Sequence, residues 1–240
     1  MTSGIRGTDH SSVSIPGYIE RRIRQRPPGG CCVVPGSTPV ISFGDVSVAR
    51  VATISINPSH REFSDGHIPL NRESVHDVLA DCNGYFRREP YKSWFNQLEA
   101  WILQKCGASY YDGTACALDL VQWATDPVWS DLPGGVRDRL LAADGTFLKT
   151  QLEENKNVKL VLANGRQVID GLQAMGFPLD YGESITPDGR QIHLFRGRLG
   201  ERTFIGWNLN LQGSLNRTGF PGGSIYWEDG VHGKSESVLT

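Results

Sequence analysis

Residues 48–60, Val-Ala-Arg-Val-Ala-Thr-Ile-Ser-Ile-Asn-Pro-Ser-His, bring together side chains whose types and order could do chemistry. An apolar, β-branched run of this kind reads as a buried strand. Pro58 has no N–H and cannot extend a ladder, so the strand stops there. Asn57, Ser59 and His60 are then held at a strand's carboxyl end, the place where open α/β sheets bind ligands. Asn57 is no base at neutral pH, but its amide can position a water by donating and accepting hydrogen bonds. His60 is a second candidate, for activating water or meeting a phosphate. It also fits a solvated surface histidine, and the four residues alone also fit an ordinary turn.

Two later segments follow the same design. Ala115-Cys116-Ala117-Leu118-Asp119-Leu120-Val121-Gln122-Trp123-Ala124-Thr125-Asp126-Pro127 is an apolar strand that runs into a polar turn. Asp119 is its first charged residue, and it also suits a turn cap. Residues 202–220 place the apolar Thr203–Trp207 run ahead of Gln212-Gly213-Ser214-Leu215-Asn216-Arg217, a polar loop that also suits an unspecialised surface.

In order and chemistry these three segments resemble the motifs of the uracil-DNA glycosylase superfamily, over roughly residues 40–222. The resemblance implies a three-layer α/β sandwich with a central, mostly parallel sheet. It also implies a monofunctional DNA glycosylase that hydrolyses the N-glycosidic bond of a flipped base and leaves an abasic site. Asn57 then stands where the family positions the hydrolytic water. The loop 212–217 stands where the family pinches DNA phosphates, with Leu215 and Arg217 as the wedge that replaces the flipped base. That loop lacks the His of several branches, which opens the reading of a non-catalytic DNA-binding relative. Phe63 follows the first motif closely enough to stack on the base, and it suits the core equally well.

Two departures bear on which base is taken. Ser59 occupies the position where the uracil-specific branch has a bulky Tyr against C5, so a 5-substituent has room. Asp119 replaces the Asn that reads the base edge, and a carboxylate suits the N4 amine of cytosine. Together they favour a 5-substituted cytosine, such as occurs in phage DNA, and the resemblance extends to anti-phage glycosylases acting on glucosylated hydroxymethylcytosine. A uracil or damaged-base repair glycosylase is the alternative if Asp119 is a cap.

Composition sets the frame. At 240 residues, 39% hydrophobic and 21% charged, the chain is expected to form a glycosylase-like α/β domain over 31–222. Residues 1–30 would be an arm and 223–240 a tail. The net charge of −2 is not that of a general nucleic-acid binder, so DNA contact must come from a local patch. The densest basic segment, Glu20–Arg26, could be a DNA-contacting arm or a solvated helix end, with Arg166, Arg196, Arg198 and Arg217 as further contributors. The five cysteines form no C-x-x-C pair, which suits neither zinc nor an iron–sulfur cluster, and no cofactor is expected. No stretch has the length of a membrane span, and a reduced, cytoplasmic monomer is expected.

The elements that must position these residues follow from spacing. Helices are expected over 13–26, 73–81, 91–105 and 166–175, with a helical pattern over 136–154 broken around Asp144-Gly145. Strands are expected at Val40–Phe43, Val48–Ser55 and Val158–Ala163. Gln191–Arg196 and Thr203–Trp207 form a hairpin around Gly197–Gly200. Alternating strands and helices imply a parallel sheet covered on both faces.

Overall fold

The structure is a computed structural model that describes residues 14–186 and 191–209. The loop 212–217, with its wedge, and the tail therefore lie outside the described residues. Six strands form one sheet: β1 (Val51–Ser55), β2 (Ala115–Asp119), β3 (Leu160–Asn164), β4 (Asp180–Ile185), β5 (Ile192–Leu199) and β6 (Arg202–Trp207). Their order is β2-β1-β3-β6-β5-β4. β2, β1, β3 and β6 run parallel, and β5 is antiparallel to both its neighbours. The chain is thus an α/β protein with a mostly parallel central sheet.

The helices are α1 (Gly17–Arg24), α2 (Arg61–Ser64), α3 (Val75–Asn83), α4 (Lys92–Cys106), α5 (Gly134–Glu154) and α6 (Arg166–Ala174). The period-2 alternation of the strands divides the core. Val51, Ala117, Leu162, Ile205 and Trp207 join one apolar cluster with Ile19 of α1, Val78 of α3 and Phe95, Leu98 and Ile102 of α4. Ala52, Ile54, Leu118, Val161 and Phe204 join another with Leu148 and Leu152 of α5 and Val168, Ile169 and Leu172 of α6. Helices therefore cover both faces. Leu120 lies so close to α6 that a Cβ on Gly171 would come within 2.6 Å of its Cδ1, which makes glycine a packing requirement there.

Several expectations change on folding. Val40–Phe43 is not a strand of the sheet; it makes one antiparallel bridge, between Phe43 and Ala117. The hairpin strands run further than their apolar runs, to a Leu199–Arg202 pair across a two-residue turn. The polar edge strand β4, Asp-Tyr-Gly-Glu-Ser-Ile, carries no apolar alternation and was not expected; backbone pairing with β5 creates it.

The helix expected to break at Asp144-Gly145 is continuous. Its reason is tertiary. Asp144 lies 2.7 Å from Arg22 of α1 in an ion pair buried at both ends, and it accepts a 2.8 Å hydrogen bond from the Gln122 backbone N–H. Burial raises the Asp144 carboxyl and lowers the Arg22 guanidinium, and each partner opposes the other's shift. The guanidinium also sits over Trp123, 5.4 Å from the ring centre. Glu20–Arg26 is therefore not free as a unit to contact DNA: Arg22 is core, and Arg24 pairs with Glu20. Arg22 follows Ile19 at helical spacing, and both are buried on the same side of α1.

Removing one member leaves a buried charge without its partner, which costs several kcal/mol. Arg22→Met is expected to lower the unfolding free energy by about 3–5 kcal/mol, measured by urea denaturation with the slope unchanged. Arg22→Met with Asp144→Leu should recover much of that loss.

Candidate functional site

The carboxyl ends of the four parallel strands meet one cavity of about 740 Å³. Ser55 to Glu62 after β1, Asp119 at the end of β2, Asn164 to Val168 after β3 and Asn208 after β6 all line it. β1 connects toward β2 on one side, while β3 connects toward β6 on the other. The crevice between β1 and β3 is thus the point where the winding direction reverses, the usual ligand site of such sheets.

The turn after β1 is held by the segment after β2. Leu120 N–H donates to the Ser55 carbonyl at 3.0 Å and Val121 N–H to the Ile56 carbonyl at 2.9 Å. The Asn57 amide nitrogen donates to the Trp123 carbonyl and the Thr125 hydroxyl, both at 3.2 Å. Those two bonds orient the amide, and its oxygen accepts no hydrogen bond among the described residues. It is therefore available to a water or ligand in the cavity. Ser59 bridges to Thr125, and its hydroxyl accepts from the Arg61 N–H at 3.2 Å.

Asp119 is opposite Ser55 in the β1–β2 register, on the same face as Ala117 and the first apolar cluster. Only 6% of it is exposed, and no hydrogen bond reaches its carboxyl among the described residues. Burial pushes its pKa well above the ordinary carboxylate range, and the charge of Glu62 adds to the rise. Its neutral form is favoured, and a neutral carboxyl both donates and accepts.

Glu62 was not among the expected residues. It is on the first turn after the Asn-Pro motif, only 2% exposed, and it lines the same cavity. Its Oε2 accepts a 2.5 Å hydrogen bond from the Tyr85 hydroxyl, which in turn accepts from the Tyr91 N–H at 2.9 Å. Burial raises the Glu62 carboxyl to about 7; the Tyr85 hydrogen bond opposes the rise and Asp65 adds to it. In sequence Glu62 reads as one charge in a polar Arg-Glu-Phe-Ser turn. No local spacing marks it; the signal is the packing of Tyr85 onto it.

The other expected residues divide. Asn57, Ser59, His60 and Asp119 are brought together on the cavity wall. His60 is half-buried, and its Nδ1 has no hydrogen-bond partner among the described residues. Phe63 is not on the wall: it is buried in the first apolar cluster, because a short helix turns its side chain away from Glu62. The aromatic rings that do line the cavity are Phe43, Phe95, Tyr91, Trp94 and Trp129. Phe43 is held there by its backbone pairing with Ala117 and by edge contact with Tyr85, at 4.7 Å between ring centres. Arg61 and Arg166 line the cavity as well; Arg166 bonds Asp170 and sits over Phe195. Arg196 pairs with Glu183 on the β4–β5 hairpin.

After β3 the backbone turns at Gly165, whose φ of +107° disfavours any side chain, and its N–H donates to the Trp207 carbonyl at 2.9 Å. The Trp207 indole N–H donates to Asn164 Oδ1 at 2.8 Å, tying β6 to the β3 end of the cavity. Among the described residues no group of three His, Cys, Asp or Glu is placed to hold a metal ion, and no helix is long and apolar enough to cross a membrane. No protein-family model matches the chain, and no curated protein is similar to it at a significant level.

A group whose pKa is raised by folding stabilises the fold while protonated. For Glu62 that contribution is complete below about 4.5 and is lost as pH rises through about 7. The shift corresponds to about 3 kcal/mol. Glu62→Gln keeps an acceptor for Tyr85 and removes the ionisation. The variant should be more stable than wild type at pH 8 by about 1–3 kcal/mol and nearly equal at pH 4, measured by denaturant midpoints at both pH values.

Proposed function

We propose that this chain is a monofunctional DNA glycosylase of the uracil-DNA glycosylase type, favouring a 5-substituted cytosine and leaving an abasic site. The observation that supports it most directly is that Asp119, at the end of β2, and Asn57, two residues beyond the end of the adjacent parallel β1, line one cavity. One offers an oriented amide with a free oxygen; the other offers a carboxyl whose neutral form is favoured.

In this reading the base is flipped into the cavity, since its glycosidic bond is inaccessible within a duplex. Asn57 holds a water against C1′ through its amide oxygen. The transition state resembles an oxocarbenium ion, and the base departs with negative charge unless it is protonated. Asp119 accepts from the N4 amine of cytosine and donates its proton toward N3. A neutral carboxyl can present donor and acceptor in either order, so uracil would also pair with it. Cytosine leaves as the more basic anion, however, and a proton delivered to N3 matters more to it. Phe43, which lines the cavity, supplies the stacking ring, and Phe63, which spacing left open between stacking and the core, packs in the core.

Ser59 and the cavity's volume favour a substituent. A space of about 740 Å³ is of the size that encloses a drug-sized ligand, more than a bare pyrimidine needs. Phosphate contact falls to Arg61 and Arg166 at the mouth, within an acidic chain.

Alkali treatment of DNA after incubation tests the class, because abasic sites break and a non-catalytic binder leaves none. On a panel of unmodified and 5-substituted DNAs, Asn57→Ala should lower excision about 10²-fold while DNA binding persists. A near wild-type rate would reduce Asn57 to a turn residue. Asp119→Asn should lower excision of the cytosine derivative more than that of the matched uracil derivative, because an amide cannot deliver the proton. Ser59→Tyr should cost activity only on bases with a bulky C5 group; equal rates would remove Ser59 from the pocket for that group.

A further inference from the structure

Asn57 orients a water but cannot take its proton, so the proposed hydrolysis needs an acceptor. Glu62 lines the same cavity. Its Oε2 is committed to Tyr85, while Oε1 has no hydrogen-bond partner among the described residues. Its charge also acts on Asp119 across the cavity. We propose that Glu62 is the general base of this site and that Glu62 and Asp119 form a proton-relaying carboxyl pair, an inference that rests on the glycosylase reading.

At the start Glu62 is ionised and Asp119 protonated. The C1′–N1 bond breaks with its electron pair passing to the base, which takes the Asp119 proton at N3. The water oxygen bonds to C1′, and the proton it releases goes to Glu62. Glu62 is then neutral and Asp119 ionised, and one proton returned from Glu62 to Asp119 through the cavity restores the enzyme. The products are a neutral base and a sugar hydroxyl at C1′, with no co-reactant beyond water.

The surroundings suit these assignments. Tyr85, from the turn after α3, donates to Glu62 and favours its ionised form; Asp65, at the end of α2, opposes it. His60, Arg61 and Tyr91 line the cavity from the α2 side and the segment before α4, and Arg166 from α6. Tyr85 donates to Glu62, while no donor reaches the Asp119 carboxyl among the described residues and the Glu62 charge disfavours its ionisation, so Glu62 is the member of the pair favoured as the anion. The pair is therefore competent between the two titrations, and the rate should follow a bell.

The test is the single-turnover excision rate on a 5-substituted cytosine duplex across pH, with the full chain. Wild type should show an acid limb near 7, set by Glu62, and an alkaline limb set by loss of the Asp119 proton. Glu62→Gln should lower the plateau about 10²-fold, abolish the acid limb, and move the alkaline limb to lower pH because Asp119 loses its charged neighbour. Tyr85→Phe should keep the plateau mechanism and move the acid limb to higher pH; this variant keeps the test decisive if Glu62→Gln fails to fold. Carbon-13 carboxyl titration of the free protein adds a readout apart from activity: in Glu62→Gln the Asp119 midpoint should fall. An unchanged acid limb in both variants, or an unchanged Asp119 midpoint, overturns the relay and leaves the glycosylase reading standing. Absence of abasic sites from every DNA at every pH overturns both.

Discussion

Two carboxyl groups withdrawn from water in one cavity set the terms for the rest of this structure. A buried carboxylate is costly unless it is paired or neutralised. Asp119 has no compensating donor among the described residues, so it is driven toward its neutral form, and Glu62 is held between forms by a single phenol. The fold sustains this because the sheet beneath is apolar on both faces and the strand ends are fixed by backbone pairing. Stability given up at a site in this way is typical of positions kept for function.

The positions of those groups come from two different levels of structure. Asp119 is set by register: the β1–β2 ladder places it opposite Ser55, and a slip of one residue would turn it into the α5–α6 layer. Glu62 is set by a chain reversal. Ser59 bridges to Thr125, α2 begins at Arg61, and Tyr85 arrives from the turn after α3. Phe43, Tyr85, Phe86 and Phe95 form one packed aromatic group, largely through edge contacts, which joins the Glu62 partner to rings that line the cavity. A cavity lined by aromatic rings on one side and strand termini on the other suits a flat ligand with polar groups on its rim.

The Arg22–Asp144 pair plays the complementary part on the far side of the same segment. By accepting from the Gln122 N–H, Asp144 ties the chain just after β2 to α5, and Arg22 ties α1 over Trp123. The Trp123 carbonyl is one of the two acceptors that orient Asn57. A buried ion pair outside the cavity thus supports Asn57 through one intervening backbone segment.

Local sequence was enough for the parallel strands, for most helices and for the placement of Asn57, Ser59, His60 and Asp119 at strand ends, because period and chain breakers such as Pro58 act over a few residues. It misjudged Asp144-Gly145, where a buried partner on the distant α1 overrides a weak helix propensity. It missed β4, whose strand state exists only through pairing with β5. It left Phe63 open between a stacking role and the core and left Glu62 unremarked, although the two are adjacent, because a helical turn sends neighbouring side chains to different surroundings. Which of them faces the cavity, and how far each carboxyl is raised, depends on desolvation and on Tyr85, quantities that exist only once distant segments have packed together.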